Sequence, residues 1–242
     1  MRVLVVLPTY NEAPNVEEML RALRQVAPLA HILVVDDASP DGTGDIAQRV
    51  SDELGEISVL RRAGKVGLGG AYRAGFAWGL DNGYDHFVEI DCDFSHDPAA
   101  LPRLLEAAAT HEVVIGSRYV SGGSIPQWKL SRRLLSRGGN QYASLMLRLG
   151  VADSTAGYRV YSASALHKIG YQSVSADGYG FQIEMTYRAR RGGASIVEVP
   201  ISFNDRLRGE SKMSSSIVYE ALWLVTKWAV QRPFTRSLDP VQ

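Results

Sequence analysis

Five short apolar runs, rich in β-branched residues and separated by helix-length amphipathic stretches, constrain this chain more than any other feature. They are VLVVL at 3–7, HILVVD at 31–36, ISVL at 57–60, HFVEI at 86–90 and EVVIG at 112–116. Runs so short and continuous read as buried parallel strands. The patterns between them, at 15–26, 42–53, 67–82 and 98–110, read as helices. Asp97 followed by Pro98 supplies a cap and a first helical residue for the last of these. Regular alternation of strand and helix predicts an α/β fold, with a mainly parallel sheet flanked by helices. Ligands of such sheets bind beyond the carboxyl ends of the strands. Three strands end there in PTYNE, DDASPDGT and DCDFSHDP, so the polar chemistry of the first half gathers on one edge.

After residue 117 the rhythm changes. YVSGGSIPQW reads as a loop, 130–149 as a helix, DSTAGYRVY as a short element and 180–191 as a second helix. ASIVEVPISF reads as a strand, NDRLRGESKMSS as a polar loop and 215–231 as a final helix. No stretch has linker composition, which predicts a single domain whose second part folds back over the strand ends.

Charge divides the chain more sharply than hydropathy. Residues 1–112 hold 18 acids and 9 bases, a net of −9, and residues 113–242 hold 8 acids and 17 bases, a net of +9. Between Val113 and Ala152 there is no acid but six bases: Arg118, Lys129, Arg132, Arg133, Arg137 and Arg148. Such a stretch is either a solvated basic face or a surface that meets phosphates. The single cysteine, Cys92, rules out an internal disulfide and fits a reducing compartment. No apolar run nears 18 residues, so the expected location is the cytosol or a membrane surface.

The stretch GKVGLGGAYRAG at 64–75 invites a dinucleotide-fold reading, but that fingerprint should follow the first strand and this one follows the third. Its small residues serve equally to pack a helix close to the sheet. Asp91 and Asp93 are two residues apart at a strand end and so point the same way. Two such carboxylates suit a hard divalent cation shared with a substrate's phosphates. Helix capping, the alternative, needs only one carboxylate.

LPTYNEAPNV, VVDDASPDGT, KVGLGGAYRAG, DCDFSHDP, VIGSRYVSGG, DSTAGYRVY and FNDRLRGESK, in this order and spacing, resemble the glycosyltransferases of the GT-A fold. The likeness covers about residues 3–232 and is strongest to the dolichol- or polyprenol-phosphate mannose synthases of glycosyltransferase family 2. It implies a GT-A (Rossmann-like) domain over 1–232, with a nucleotide-binding half at 1–117, a phosphate and acceptor half at 118–232, and a tail at 233–242. It implies inverting transfer of mannose from GDP-mannose to a polyprenyl (dolichyl-type) monophosphate, with Mg²⁺ or Mn²⁺ as cofactor. Carried over by motif, Pro8, Tyr10, Glu12, Val35 and Asp37 would line the base and ribose pocket. Asp91, Cys92 and Asp93 would contact the nucleotide sugar, with Asp93 on the metal. Ser95 would be a further metal ligand, standing where some members carry a longer Gln. Arg118, Arg206 and Lys212 match phosphate-binding bases and, with Asp93, form the expected catalytic set. Arg118 and Arg132 would meet the acceptor phosphate. His96 reads as a structural residue near the helix cap. Asp153 and Glu184 either orient the sugar or pair with nearby arginines.

A lipid acceptor requires contact with a membrane. In the last helix Ile217, Ala221, Leu224, Val225 and Trp228 form an apolar stripe that packs on the core. Tyr219, Trp223, Lys227 and Val230 fall on another side, an aromatic and basic mixture suited to a headgroup interface or to a membrane-anchored partner protein. The expected location is therefore peripheral, at the cytoplasmic face of a membrane. Two alternatives stay open: transfer from a UDP-sugar such as UDP-glucose to the same lipid, and a non-catalytic nucleotide-sugar-binding subunit. The basic half has no recognisable nucleic-acid reading motif, so no nucleic-acid partner is expected.

Overall fold

The five apolar runs form strands β1 (Val3–Thr9), β2 (His31–Asp36), β3 (Ile57–Arg61), β4 (His86–Glu89) and β5 (Val113–Ser117) in a computed structural model. The structure describes residues 1–65, 67–205 and 215–231. Two further strands, β6 (Arg159–Ser162) and β7 (Ile196–Pro200), complete a seven-stranded sheet in the order β3-β2-β1-β4-β6-β5-β7. All neighbours are parallel except at β6, which runs antiparallel to both β4 and β5. DSTAGYRVY, expected as a short element, thus supplies a strand that separates β4 from β5.

Helices cover both faces. On one side α1 (Val16–Val26), α2 (Thr43–Leu54) and α4 (Leu101–Ala108) enclose a core with Val5, Leu7, Ile32 and Val34. On the other, α3 (Leu68–Asp81), α5 (Leu130–Leu147), α6 (Ala163–Ile169) and α7 (Gly178–Arg191) pack with Leu4, Val6, Leu33 and Val35. The last helix, α8 (Ser215–Gln231), lies against α5 and α7. The alternation of successive β1 and β2 side chains between these two cores is the period of a strand.

The glycines of α3 do what the close-packing reading required. A Cβ at Gly75 would come within 2.4 Å of Val6, and one at Gly79 within 2.5 Å of Leu4 and Phe87. Only hydrogen at these positions lets the helix lie so near the sheet. At the start of α4, the Asp97 carboxylate accepts from the backbone N–H of Ala99 at 2.9 Å, capping a short 3₁₀ turn that opens at Pro98. The strand ends are thereby held along one edge, where the loops after β1, β2 and β4 meet.

Candidate active site

Along that edge runs a cleft of about 380 Å³. Pro8, Thr9 and Tyr10 come from the end of β1 and its loop, Glu12 from the same loop, Asp37 from the end of β2. Asp91, Cys92 and Asp93 line it from the loop after β4. Seven of the expected nucleotide residues (Pro8, Tyr10, Glu12, Asp37, Asp91, Cys92 and Asp93) therefore line one cavity. Val35 is not among them: its side chain packs under α3 beside Leu33. Val35 still lies within β2, under α3, whereas Asp37 lies one residue past the end of the strand, where the chain leaves the sheet.

The acidic loops are braced rather than left to repel. Asp36 accepts from the Thr9 hydroxyl at 3.1 Å and the Ser39 hydroxyl at 2.5 Å. Asp37, nearly buried, pairs with Arg62 at 2.7 Å. Glu12 accepts from the Asn15 amide at 2.8 Å, and its own N–H donates to the Thr43 hydroxyl. Lys65 brings a positive charge to the rim, its Nζ 4.1 Å from the Tyr10 ring centre.

Asp93 accepts from the backbone N–H of Ser95 at 3.0 Å, across a turn that puts Phe94 in the left-handed region at φ 59°. Ser95 itself is buried and does not line the cleft; it meets Asp93 through its main chain. His96 lies below, buried, with its ring centre 5.4 Å from Tyr158 and 5.1 Å from Phe203. Burial pushes its pKa down to about 4, against the pull of Asp93, so the ring is neutral near neutral pH.

A second, narrower cavity of about 90 Å³ lies between α5, α7 and α8. Leu135, Ala143, Ile183 and Val225 give it an apolar body, while Arg118, Arg132 and Trp128 line it as well. Arg118 is gripped by Asp153 through two charged bonds of 2.7 Å, and its main-chain N–H adds a third of 2.9 Å. Burial opposes both charges, but each ion outweighs it for the other: Arg118 is held above its ordinary pKa and Asp153 below. Arg132 lies over the Trp128 ring at 3.8 Å. Asp153 and Glu184 both pair with arginines, Glu184 with Arg188 at 2.6 Å, and neither lines the cleft. Arg206 and Lys212 lie outside the described residues.

Around the second cavity the surface is apolar and basic. α5 exposes Leu130, Leu134, Leu135 and Leu145 among its arginines. α8 turns Val225 and Trp228 toward the core, where Trp228 stacks on Tyr187, and leaves Trp223 and Val230 60% and 64% exposed. Lys227 sits 5.0 Å from the Trp223 ring, the expected aromatic and basic side. The side chains of Ile217 and Tyr219 lie outside the described residues. Among the described residues, no helix is long and apolar enough to cross a membrane.

The cleft at the strand ends and the motifs that build it have a family counterpart: residues 4–170 match glycosyl transferase family 2. The chain belongs to that family. It is 52% identical over 230 residues to an undecaprenyl-phosphate mannosyltransferase of Micrococcus luteus, covering 95% of each chain. It is 45% identical over 243 residues to a polyprenol monophosphomannose synthase of Mycolicibacterium smegmatis, covering 100% of this chain and 92% of that one. Among solved structures, a glucosyl-3-phosphoglycerate synthase from Mycobacterium tuberculosis superposes with a TM-score of 0.65 at 19% identity, over 95% of this chain and 80% of that one. A mannosyltransferase from Pyrobaculum calidifontis, in complex with GDP-Man and Mn²⁺, gives 0.62 at 17% identity, over 95% and 72%. These likenesses show the fold expected from the motifs.

In this family 2 glycosyltransferase the cleft also takes in residues that sequence reasoning did not nominate, among them Lys65, Thr155, Tyr179 and Gln182. Lys65 and Thr155 lie inside the glycine-rich stretch and DSTAGYRVY, where neither residue type by itself signals a nucleotide contact. Tyr179 and Gln182 belong to the first turns of α7, in no motif, and only the tertiary fold brings them to the strand ends. Gln182 is held from behind by Glu89, which accepts from its amide at 2.8 Å. Burial raises the Glu89 carboxyl to about 7 despite the opposing pull of Arg159.

Proposed function

We propose that this enzyme transfers mannose from GDP-mannose to a polyprenyl monophosphate, with inversion at the sugar carbon, releasing GDP. The observation that carries the reading is the pairing of two unlike cavities: a carboxylate-lined cleft at the strand ends beside an apolar slot lined by arginines. A nucleotide sugar suits the first and a lipid phosphate the second. The names of the two curated relatives point to the same acceptor class and the same sugar.

On this reading Glu12 and Asp37 accept from the base and ribose, since a carboxylate takes a ring N–H or a pair of hydroxyls. A phosphate oxygen of the acceptor attacks the anomeric carbon, and the bond to the diphosphate oxygen breaks with its electron pair leaving on GDP. The attacking oxygen is already ionised, because a phosphate monoester's second pKa is about 6. No side chain has to take a proton, so the protein's work is positioning and charge neutralisation. Arg132 and Arg118 meet the acceptor phosphate; Arg206 and Lys212 are assigned to the donor phosphates by motif.

The donor set of Asp91 and Asp93 is all oxygen and fits a hard divalent ion, Mg²⁺ or Mn²⁺. Among the described residues, no three His, Cys, Asp or Glu side chains converge as a ready-made cage, a site that substrate phosphates would complete. Such an ion, when bound, supplies charge for the departing diphosphate. Ser95, below the cleft, stays outside this set. The exposed leucines of α5 and the Trp223 side of α8 suit the headgroup region at the cytoplasmic face of a membrane, where the acceptor resides.

The test is transfer of labelled sugar to a polyprenyl phosphate with Mg²⁺ or Mn²⁺, comparing GDP-mannose with UDP-glucose. Lipid product from GDP-mannose alone is expected. Product from UDP-glucose alone would reassign the donor, and no product from either would favour a binding subunit.

A further inference from the structure

The cleft and the slot have two lining residues in common, Thr155 and Tyr179. If the donor sugar occupies one and the acceptor phosphate the other, the reacting atoms meet between these side chains. We infer that Tyr179, set against a fixed Thr155, is a positioning residue that keeps water off the sugar carbon and admits the lipid phosphate in its place. The inference rests on the reading of the preceding subsection.

Thr155 is a fixed post. Its hydroxyl accepts from Arg118 at 2.7 Å and from Asn140 at 3.1 Å, and its own proton points to Asp153 at 3.4 Å. One donor and two acceptor positions are all a threonine hydroxyl has. Tyr179 is placed differently. It is half-buried on the first turn of α7, between Gly178, which holds φ at +54°, and Gly180. A Cβ at Gly180 would come 3.0 Å from Leu224, so this turn packs directly on α8. The preceding Asp177 does not cap its own helix; its carboxylate accepts from the N–H of Gly69 at 2.9 Å, at the start of α3. The segment bearing Tyr179 is thereby tied both to the wall of the donor cleft and to the wall of the acceptor slot.

Water can attack the same sugar carbon: a carbon–oxygen bond forms, the bond to the diphosphate breaks with its electron pair leaving on GDP, and water's spare proton goes to solvent, giving free mannose. The lipid phosphate breaks the same bond without losing a proton. Which nucleophile wins depends on which one reaches the carbon, and an aromatic ring at the junction excludes the smaller one until the larger arrives.

The experiment measures free mannose and lipid-linked mannose together, using full-length protein, GDP-mannose and polyprenyl phosphate in detergent micelles. Tyr179→Ala should raise the ratio of free to lipid-linked mannose about tenfold or more while GDP affinity stays within about twofold. Tyr179→Phe, which keeps the ring, should restore the wild-type ratio. Should the alanine variant fail to melt cooperatively, Tyr179→Leu takes its place with the same expected rise. An unchanged ratio in these variants, or GDP affinity falling in step with transfer, would overturn the inference while leaving the function intact. Wild-type protein that forms no lipid product would instead overturn the functional reading and this inference with it.

Discussion

The two halves of the chain carry opposite charge and also spend it differently. In the first half, exposed helices neutralise themselves: Arg21 bridges Glu17 and Glu53 at 3.0 and 2.7 Å, and Arg49 reaches Glu17 at 2.7 Å. Another group of carboxylates, Glu12, Asp37, Asp91 and Asp93, gathers at the cleft. In the second half some ions retreat into the interior as pairs, as Arg118 and Asp153 do, while the arginines of α5 stand among exposed leucines, with Arg132 reaching Asp205 at 3.5 Å. One surface is complete in water. The other suits an environment that supplies both anions and hydrocarbon.

This contrast can be broken or sharpened by substitution. Asp93→Asn attacks the acidic side where it is proposed to work. Metal-dependent transfer should fall by about 10²–10³-fold while thermal melting stays cooperative; turnover that survives excess chelator would remove the metal from the scheme. Asp153→Asn attacks the basic side and strands the Arg118 charge. Chemical denaturation at pH 7 should show a loss of about 3–5 kcal/mol. Because the Asp153 carboxyl is held below its ordinary value, its contribution is present above the unfolded pKa and is lost as pH falls through the folded one. The gap between wild type and variant should therefore narrow in acid, and a constant gap would contradict the pairing.

A smaller effect is expected at the surface. Leu134→Glu should weaken sedimentation with anionic vesicles by about tenfold and leave transfer to a short, water-soluble acceptor unchanged. Equal binding by both proteins would show that α5 does not face the membrane. Glu17→Gln, on the self-neutralised surface, should leave the melting temperature where it is, since exposed ion pairs contribute little. A clear drop there would erase the difference between the two surfaces.

How far these features could be read from sequence depends on what signals them. β1 to β5 were legible because each is a continuous β-branched run, and the structure moves their ends by a residue or two. β6 was not, because it is four residues long and opens on a buried guanidinium. Arg159 bonds the carbonyls of Ser154, Ala156 and Gln182 and the hydroxyls of Tyr161 and Thr186. Its burial depends on carbonyls of the preceding turn and on Gln182 and Thr186 of α7, and hydropathy registers neither. The cleft divides the same way. Asp91 and Asp93 announced themselves by crowding at a strand end, whereas Tyr179 and Gln182 reach the cleft only once α7 is docked. Val35 and Ser95 are the reverse case: motif position suggests the cleft, and the structure buries both beneath it, Val35 within its strand and Ser95 behind the turn at Phe94.

The inserted strand also sets which sheet pairings a partly made chain has available. β1 to β3 find all their sheet partners within the first ninety or so residues, and β4 finds one of its two, the other being β6. β5 does not join them. Its neighbours are β6 and β7, both made later, and until 159–162 emerges it has no edge to bond. During that interval the growing polypeptide carries an apolar segment with both flanks bare, the kind of species that invites a chaperone or a wrong partner. Placing an antiparallel strand in the middle of the sheet thus ties completion of the sheet beside the cleft to synthesis of the second, basic half.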